Sequence, residues 1–389
     1  MNGLVLSGGG ARGAYEAGAL RYVYGPLARR LGRDLAPDVI CGTSVGALTG
    51  AWVGAMGMAA AQTLSYFWRE LEPRHIYKMH MRDLVSGRDA FLQRRTALGG
   101  GTALFDPAPL YEHVRQAIPW RSLRERIDSG ALRAFACAAT DVASGRCIQF
   151  TDGLQATRPE RSSPDTLRET ATTTMRAAHI GPEHVLASAA IPFVFPPVSV
   201  NGRWMVDGAL RQNTPLGPAL QYQCDRLLVI GVKRSKTEAE TAPFSPAIPA
   251  EPPSAATLAG RALNALMLDP IEEDLRRIQR WNAMLTWASG AYPDFLDRLA
   301  TEHRAYRVVQ SVHLRPSEDI GRLAAHLFPV IAPGLDWSSR IFFQAIADDH
   351  EADLVSYFLF HKRYTRELEE LGYADAERAQ TAIGDLLAG

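Results

Sequence analysis

The chain has 389 residues, of which 47% are hydrophobic and 22% charged, so its composition is that of a packed globular protein. Its 42 basic and 42 acidic residues cancel, which excludes the basic surface that a nucleic-acid-binding protein usually carries. No apolar run approaches the roughly 20 residues that a bilayer-spanning helix requires, and the N-terminus has no signal-peptide pattern. We therefore expect a cytoplasmic protein whose contact with membranes, if any, is peripheral.

The predicted elements alternate between strand and helix along the chain. The N-terminal part is predicted to contain a strand at Gly3–Leu6, a helix at Ala14–Leu31, a strand at Val39–Cys41 and a helix at Val45–Met58. Further elements are predicted as strands at Ala134–Ala139, Ile148–Phe150, Leu227–Val232 and Tyr306–Leu314, and as helices at Pro182–Ala190 and across most of Ser338–Leu371. This alternation predicts an α/β fold with a mainly parallel central sheet and helices on its faces.

Turn residues and loops complete the outline. Val198–Val206 is predicted to form a hairpin, because Asn201-Gly202 is the dipeptide that a type I′ turn prefers. Segments rich in glycine, threonine or proline are predicted loops, and they span Leu98–Thr102, Gln155–Thr174 and Lys236–Pro253. We expect a single domain over 1–389, with a core of about 3–235 plus 300–315, a mobile Pro-rich loop at 236–256 and a helical C-terminal extension at 338–389.

The four cysteines show neither metal-ligand spacing nor a disulfide framework, and we expect buried free thiols. They are Cys41, Cys137, Cys147 and Cys224.

A glycine-rich motif follows the first predicted strand and precedes a helix; it reads Gly8-Gly9-Gly10-Ala11-Arg12-Gly13. Backbone amides in such a turn, together with the positive end of the helix, bind anions. The anion is either a phosphate or the oxyanion of an acyl-transfer reaction. A dinucleotide site also fits this pattern, but it predicts an acidic residue at the end of the next strand, where Cys41 and Gly42 stand instead.

A second motif has the Gly-x-Ser-x-Gly form of a nucleophile elbow; it reads Gly42-Thr43-Ser44-Val45-Gly46. It lies between a predicted strand and a helix of small residues, which predicts a sharp turn that exposes the Ser44 hydroxyl at the sheet edge. Asp207, followed by Gly208 and Ala209, comes directly after a predicted strand, so its carboxylate is predicted to point into the cleft.

Serine needs a base to take its proton. In chain order the candidate histidines are His303 and His313, but both lie in settings typical of an ordinary surface or sheet histidine. Only one strand and one helix precede the elbow, which is too few for the α/β-hydrolase fold with its Ser-His-Asp triad. The pattern therefore favours a dyad in which Asp207 is the base of Ser44, and a triad using His313 stays an alternative.

Together these motifs resemble the patatin-like phospholipase family. A fourth family element, Ala-Ser-x-x-x-Pro, is similar to Ala187-Ser188-Ala189-Ala190-Ile191-Pro192, and the order agrees from about residue 3 to 235. The resemblance implies a three-layer α/β/α fold and hydrolysis of ester bonds in phospholipids or related lipids. It also implies that the reaction requires no metal, and we expect no cofactor. It implies that Ser44 attacks and Asp207 takes its proton, with Gly42, Gly46 and Gly208 shaping the backbone around them.

The resemblance also implies that the amides of Gly8, Gly9 and Gly10 hold the oxyanion, ahead of Gly13 at the helix start. Arg12 then supports this loop or meets a substrate phosphate, unless it faces solvent. The expected partner is a lipid or phospholipid, with transient contact to a membrane surface; the oligomeric state stays open. A non-catalytic lipid-binding protein on the same fold and a nucleotide-dependent oxidoreductase are the other hypotheses.

Beyond residue 236 the resemblance is weak. The apolar run Leu354–Phe360 near Lys362 and Arg363 is interpreted as a helix that packs on the core, with a membrane-facing amphipathic helix as the alternative. A lipid entrance lined by Met79, His80 and Met81, or by the Pro-rich loop, is a further hypothesis.

Overall fold

A computed structural model of the chain describes residues 1–78, 95–96, 99–100, 103, 105–153, 172–234, 271–292, 294–302, 307–346 and 353–388. The predictions for Met79–Met81, for His303 and for the loop 236–256 lie outside these residues. The expected domain boundaries therefore stay a prediction.

Nine strands of the described residues form one sheet, whose main path runs β11-β10-β1-β2-β5-β6-β7. The strands are β1 (Asn2–Leu6), β2 (Val39–Thr43), β5 (Ala134–Asp141), β6 (Cys147–Gly153), β7 (Thr173–Ala177), β8 (Val198–Val200), β9 (Arg203–Asp207), β10 (Arg226–Ile230) and β11 (Gln310–Leu314). A separate pair of short strands, β3 (Arg95–Thr96) and β4 (Gly99–Gly100), is antiparallel. The pairings from β11 through β1 to β5 are all parallel, whereas β6, β8 and β9 introduce antiparallel pairs.

Helices cover both faces of this sheet. In the N-terminal half they are α1 (Gly13–Tyr22), α2 (Ala28–Leu31), α3 (Val45–Met56), α4 (Ala60–Glu70), α5 (Ala108–Ala117), α6 (Trp120–Asp128) and α7 (Pro182–Ser188). In the C-terminal half they are α8 (Leu216–Gln221), α9 (Ile271–Ala291), α10 (Phe295–Glu302), α11 (Ile320–Ile331), α12 (Trp337–Ile346), α13 (Asp353–Phe358), α14 (Lys362–Arg378) and α15 (Gln380–Ala388).

The core has two parts because alternate side chains of a strand point to opposite faces of the sheet. Leu4, Leu6 and Ile40 belong to the larger apolar cluster, which includes residues of α1, α3 and α14. Val5 and Cys41 belong to the smaller cluster, with residues of α8 and α9. The result is the three-layer α/β/α arrangement that the family resemblance implies.

The predicted N-terminal elements are confirmed with small changes in their bounds. The helix predicted at Ala14–Leu31 is divided, since a π-helical turn at Val23–Leu27 contains Pro26, which has no amide hydrogen to donate. The predicted hairpin is present, with Asn201 and Gly202 at φ values of 50° and 74°, as a type I′ turn requires. The Thr-rich loop predicted to reach Thr174 ends earlier, because Thr173 begins edge strand β7.

The four cysteines are buried free thiols, as predicted. The segment Leu354–Phe360 packs on the core, as the preferred interpretation predicted, because Val355, Phe358 and Leu359 are buried in the main core. The alternative of a membrane-facing helix at this segment is therefore wrong.

Candidate active site

Strand register brings the predicted serine and aspartate together. Thr43, the last residue of β2, pairs with Ala138 of β5, and the next residue of β5, Ala139, pairs with Asp207 of β9. Strand β9 thus takes the place of β2 beside β5, at the point where β2 ends. Ser44 leaves the sheet at that same point, so its side chain and that of Asp207 meet.

The turn at Ser44 has a strained backbone. Ser44 has φ 55° and ψ −124°, a conformation that residues with a side chain rarely adopt. A Cβ on Gly42 would lie 2.3 Å from the carbonyl oxygen of Gly46, and one on Gly46 would lie 2.5 Å from that of Leu6. Both glycines are therefore required by the close approach of strand and helix, as a nucleophile elbow demands.

Both carboxylate oxygens of Asp207 accept a hydrogen bond. The Ser44 hydroxyl donates to Oδ2 over 2.7 Å, and the amide of Ala209 donates to Oδ1 over 2.8 Å. Asp207 is 0% exposed and Ser44 2%. Burial disfavours the charged form and raises the pKa of Asp207 to about 7, against the two hydrogen bonds, which lower it. Next to it, a Cβ on Gly208 would lie 2.3 Å from the carbonyl oxygen of Ala138.

The glycine-rich loop lies beside Ser44, since a Cβ on Gly8 would be 3.1 Å from the Cβ of Ser44. The Gly8 amide donates to the carbonyl of Asn213 over 3.1 Å and is thereby occupied. Among the hydrogen bonds of the described residues, none uses the amide of Gly9 or Gly10. These two amides are therefore donors of the loop that an incoming anion can use.

Two further residues fix this geometry, and motif reasoning did not assign them these roles. Ser188 accepts the amide of Ser44 over 2.9 Å and donates to the carbonyl of Ala138. The side-chain amide of Asn213 donates to the carbonyl of Gly8 over 3.2 Å, so that Asn213 contacts both sides of this glycine. Ser188 stands in the predicted Ala-Ser-x-x-x-Pro element; for Asn213 the sequence offers only an amide shortly after Asp207.

A narrow cavity adjoins Ser44; the centres of water-sized spheres can occupy about 60 Å³ within it. Helices α3, α4 and α5 contribute most of its wall, and its lining is apolar or aromatic apart from Ser44, Thr49 and His113. Such a space suits an alkyl chain, because apolar surface is removed from water along the whole chain.

The alternative base His313 lies elsewhere. It is on β11, three strands from β2, which corresponds to about 14 Å across the sheet. The histidine that does line the cavity is His113, whose Nδ1 is 2.9 Å from the carbonyl oxygen of Pro109. Among the described residues, no cluster of three or more histidine, cysteine, aspartate or glutamate side chains is arranged to hold a metal ion.

The sequence of the chain matches the model of a known protein family. A sequence model described as patatin-like phospholipase matches residues 4–220, more than half of the chain. The chain belongs to the patatin-like phospholipase family. The matched range contains the glycine-rich loop, the elbow at Ser44, Ser188 and Asp207.

Among solved structures, the crystal structure of VipD from Legionella pneumophila is similar to this patatin-like protein at 11% sequence identity and a TM-score of 0.32. The alignment covers 95% of this chain and 66% of the VipD chain. This likeness is too weak to bear on the fold or the activity.

No helix among the described residues is long and apolar enough to cross a membrane.

Residues outside the matched range complete the site of this patatin-like protein. Arg12 is 3% exposed, and its Nε and Nη2 donate to Ser356 Oγ of α13 over 2.8 and 2.6 Å. Its guanidinium carbon lies 4.0 Å from the centre of the Tyr357 ring. A Cβ on Gly10 would be 2.3 Å from the Tyr357 carbonyl oxygen, and Phe360 lines the cavity. Arg12 is therefore buried between the loop and α13 and does not face solvent.

Proposed function

We propose that this protein hydrolyses carboxylic ester bonds of lipids, with Ser44 as the nucleophile and Asp207 as its base. The observation that carries the proposal is the 2.7 Å hydrogen bond from the Ser44 hydroxyl to Asp207, buried beside an apolar cavity. Family membership supports a lipid acyl hydrolase in general.

In the first half of the reaction, Ser44 Oγ attacks the acyl carbonyl carbon while its proton passes to Asp207 Oδ2. The carbonyl oxygen becomes an oxyanion, which the amides of Gly9 and Gly10 stabilise. When this intermediate collapses, the bond to the leaving alcohol breaks, and the alcohol takes the proton from Asp207. An acyl group remains on Ser44.

In the second half, water attacks the acyl-enzyme and gives its proton to Asp207. The same amides hold the second oxyanion. The proton then returns to Ser44 as the fatty acid leaves. A base with a pKa of about 7 suits both directions of transfer, since proton transfer is most efficient when the pKa lies near the working pH.

Two other interpretations make different predictions. A lipid-binding protein without catalysis would release no fatty acid, although the same cavity would still take up a lipid. A Ser-His-Asp esterase would depend on His313, which lies on a different strand from the Ser44–Asp207 pair.

The test is release of p-nitrophenol from acyl esters by the purified full chain. Ser44→Ala and Asp207→Asn are each expected to lower kcat by at least about a thousandfold, the scale of loss for members of a catalytic pair. His313→Ala is expected to keep its activity. An active Asp207→Asn enzyme, or an inactive His313→Ala enzyme that is folded, would contradict the dyad.

A further inference from the structure

Residues of a single helix line the cavity at increasing distance from Ser44. Helix α3 begins directly after Ser44, and the cavity is lined in succession by Val45, Leu48, Thr49 and Trp52 of this helix. Trp52 is eight positions after Ser44, which corresponds to about 12 Å along a helix axis. The wall therefore extends for two helical turns from the nucleophile.

Aromatic rings line the cavity both near the glycine-rich loop and near Trp52. Trp68 stacks on Phe360 at a centroid distance of 6.5 Å, and its ring approaches Gly13, so this pair lies near the glycine-rich loop. Phe67, the neighbour of Trp68 on α4, has its ring centroid 5.9 Å from that of Trp68, and it contacts Trp52 at 5.3 Å and His113 at 6.3 Å. Three rings from α3, α4 and α5 thus meet two turns below Ser44.

We propose that Trp52 with Phe67 and His113 forms the end wall of an acyl-chain site and selects medium-chain acyl esters. This inference rests on the proposed ester hydrolysis. An extended chain that starts at the Ser44 hydroxyl and follows α3 reaches Trp52 after roughly ten carbons. A longer chain would collide with the three rings. Packed aromatic side chains shift little to admit an extra methylene group, so longer esters bind less well.

The profile over chain length is the measurement. The substrates are p-nitrophenyl esters with acyl chains of about four to sixteen carbons. Up to roughly ten carbons, we expect kcat/KM to rise by about fourfold per methylene group, which is the factor that burial of one CH2 group gives. Beyond that length it falls. Equal or rising kcat/KM for the longest esters would overturn the end wall while leaving the proposed hydrolysis intact.

Two substitutions on α3 shift the optimum in opposite directions. Trp52→Ala removes the wall and is expected to move the optimum to chains longer by roughly two to four carbons. Leu48→Trp places a ring one turn below Ser44, at about 6 Å, and is expected to shorten the optimum to roughly five carbons. Trp52→Phe, which keeps an aromatic ring and the fold, is expected to lie between wild type and Trp52→Ala.

The control is Tyr66→Ala, because Tyr66 is on α4 next to Phe67 but is exposed. Its profile is expected to match that of the wild type. An unchanged optimum in both Leu48→Trp and Trp52→Phe, with folded proteins, would show that the chain does not follow α3. Failure of the ester hydrolysis itself appears differently, as wild-type activity equal to that of Ser44→Ala at every chain length.

Discussion

At the scale of single residues, Asp207 meets two demands that affect its pKa in opposite directions. As a base it must be ionised at the working pH, and as a buried residue it is more stable when neutral. Hydrogen bonds from Ser44 and Ala209 favour the charged form, but burial is the larger effect and the pKa rises from 3.8 to about 7. A carboxylate that would be a weak base in water thereby gains basicity near neutral pH.

The pH dependence follows from this value. We expect kcat/KM to rise with pH and to reach half its plateau near pH 7, because only the ionised Asp207 accepts the Ser44 proton. The measurement is a pH series at substrate concentrations well below KM. A flat profile between pH 5 and 8 would be incompatible with Asp207 as the base.

Stability checks the same pKa without catalysis. A carboxyl group whose pKa is raised on folding binds its proton more tightly in the folded state, so the free energy of unfolding falls as pH rises from 3.8 to about 7. The stability of Asp207→Asn relative to wild type is therefore expected to increase across this window. Asp385→Asn, at an exposed position of α15, is the matched control.

Local patterns predicted Ser44 and Asp207 because each stands in a short motif whose backbone needs small neighbours. The family resemblance implied an oxyanion role for Gly8 as well, although the Gly8 amide donates to the carbonyl of Asn213. The roles of Asn213 and Ser188 depend on contacts between positions more than 140 residues apart. Nothing local in a sequence marks such a pairing.

At the scale of elements, α13 supports the glycine-rich loop from outside the family-matched range. Arg12 is buried, and its positive charge is offset by the Ser356 hydroxyl and the face of Tyr357. A buried cation depends on such partners, because it has given up its hydration. The position of the amides of Gly9 and Gly10 thus depends on a helix near the C-terminus.

Ser356→Ala tests this support. Weakening the contact to Arg12 is expected to lower kcat by roughly tenfold, since the loop amides are less well placed in the transition state, with little change in KM. Ser356→Thr keeps a hydroxyl and is expected to recover most of the activity.

The matched control for Ser356→Ala is Ser339→Ala, a buried serine whose hydroxyl binds Asp336 instead. Equal losses of kcat in Ser356→Ala and Ser339→Ala would assign the effect to general destabilisation. A rise in KM alone would also contradict the proposed role of Ser356.

At the scale of the whole molecule, α14 is part of the main core. It packs along α1, and two glycines permit the close approach: a Cβ on Gly18 would lie 1.8 Å from the carbonyl oxygen of Glu369, and one on Gly372 would lie 2.0 Å from that of Tyr15. The sequence predicted that 338–371 is mainly helical, but not where these helices pack. Helical periodicity identifies an apolar face without naming its partner.

Gly372→Ala is expected to lower the free energy of unfolding by about 1–3 kcal/mol, because the added methyl group overpacks backbone that cannot move aside. Urea unfolding followed by circular dichroism measures this change. Gly290→Ala in α9, where a Cβ would meet nothing within 4 Å, is the control and is expected to be neutral or slightly stabilising. Equal behaviour of the two variants would contradict a tight α1–α14 contact.

The exposed hairpin turn at Asn201-Gly202 has an effect beyond its own surroundings. It sets the pairing of β8 with β9, and β9 carries Asp207 to its place beside Ala139. A slip of one residue in that pairing would turn Asp207 to the opposite side of the sheet. Insertions or deletions in this solvent-facing turn are thus capable of separating the proton acceptor from its serine.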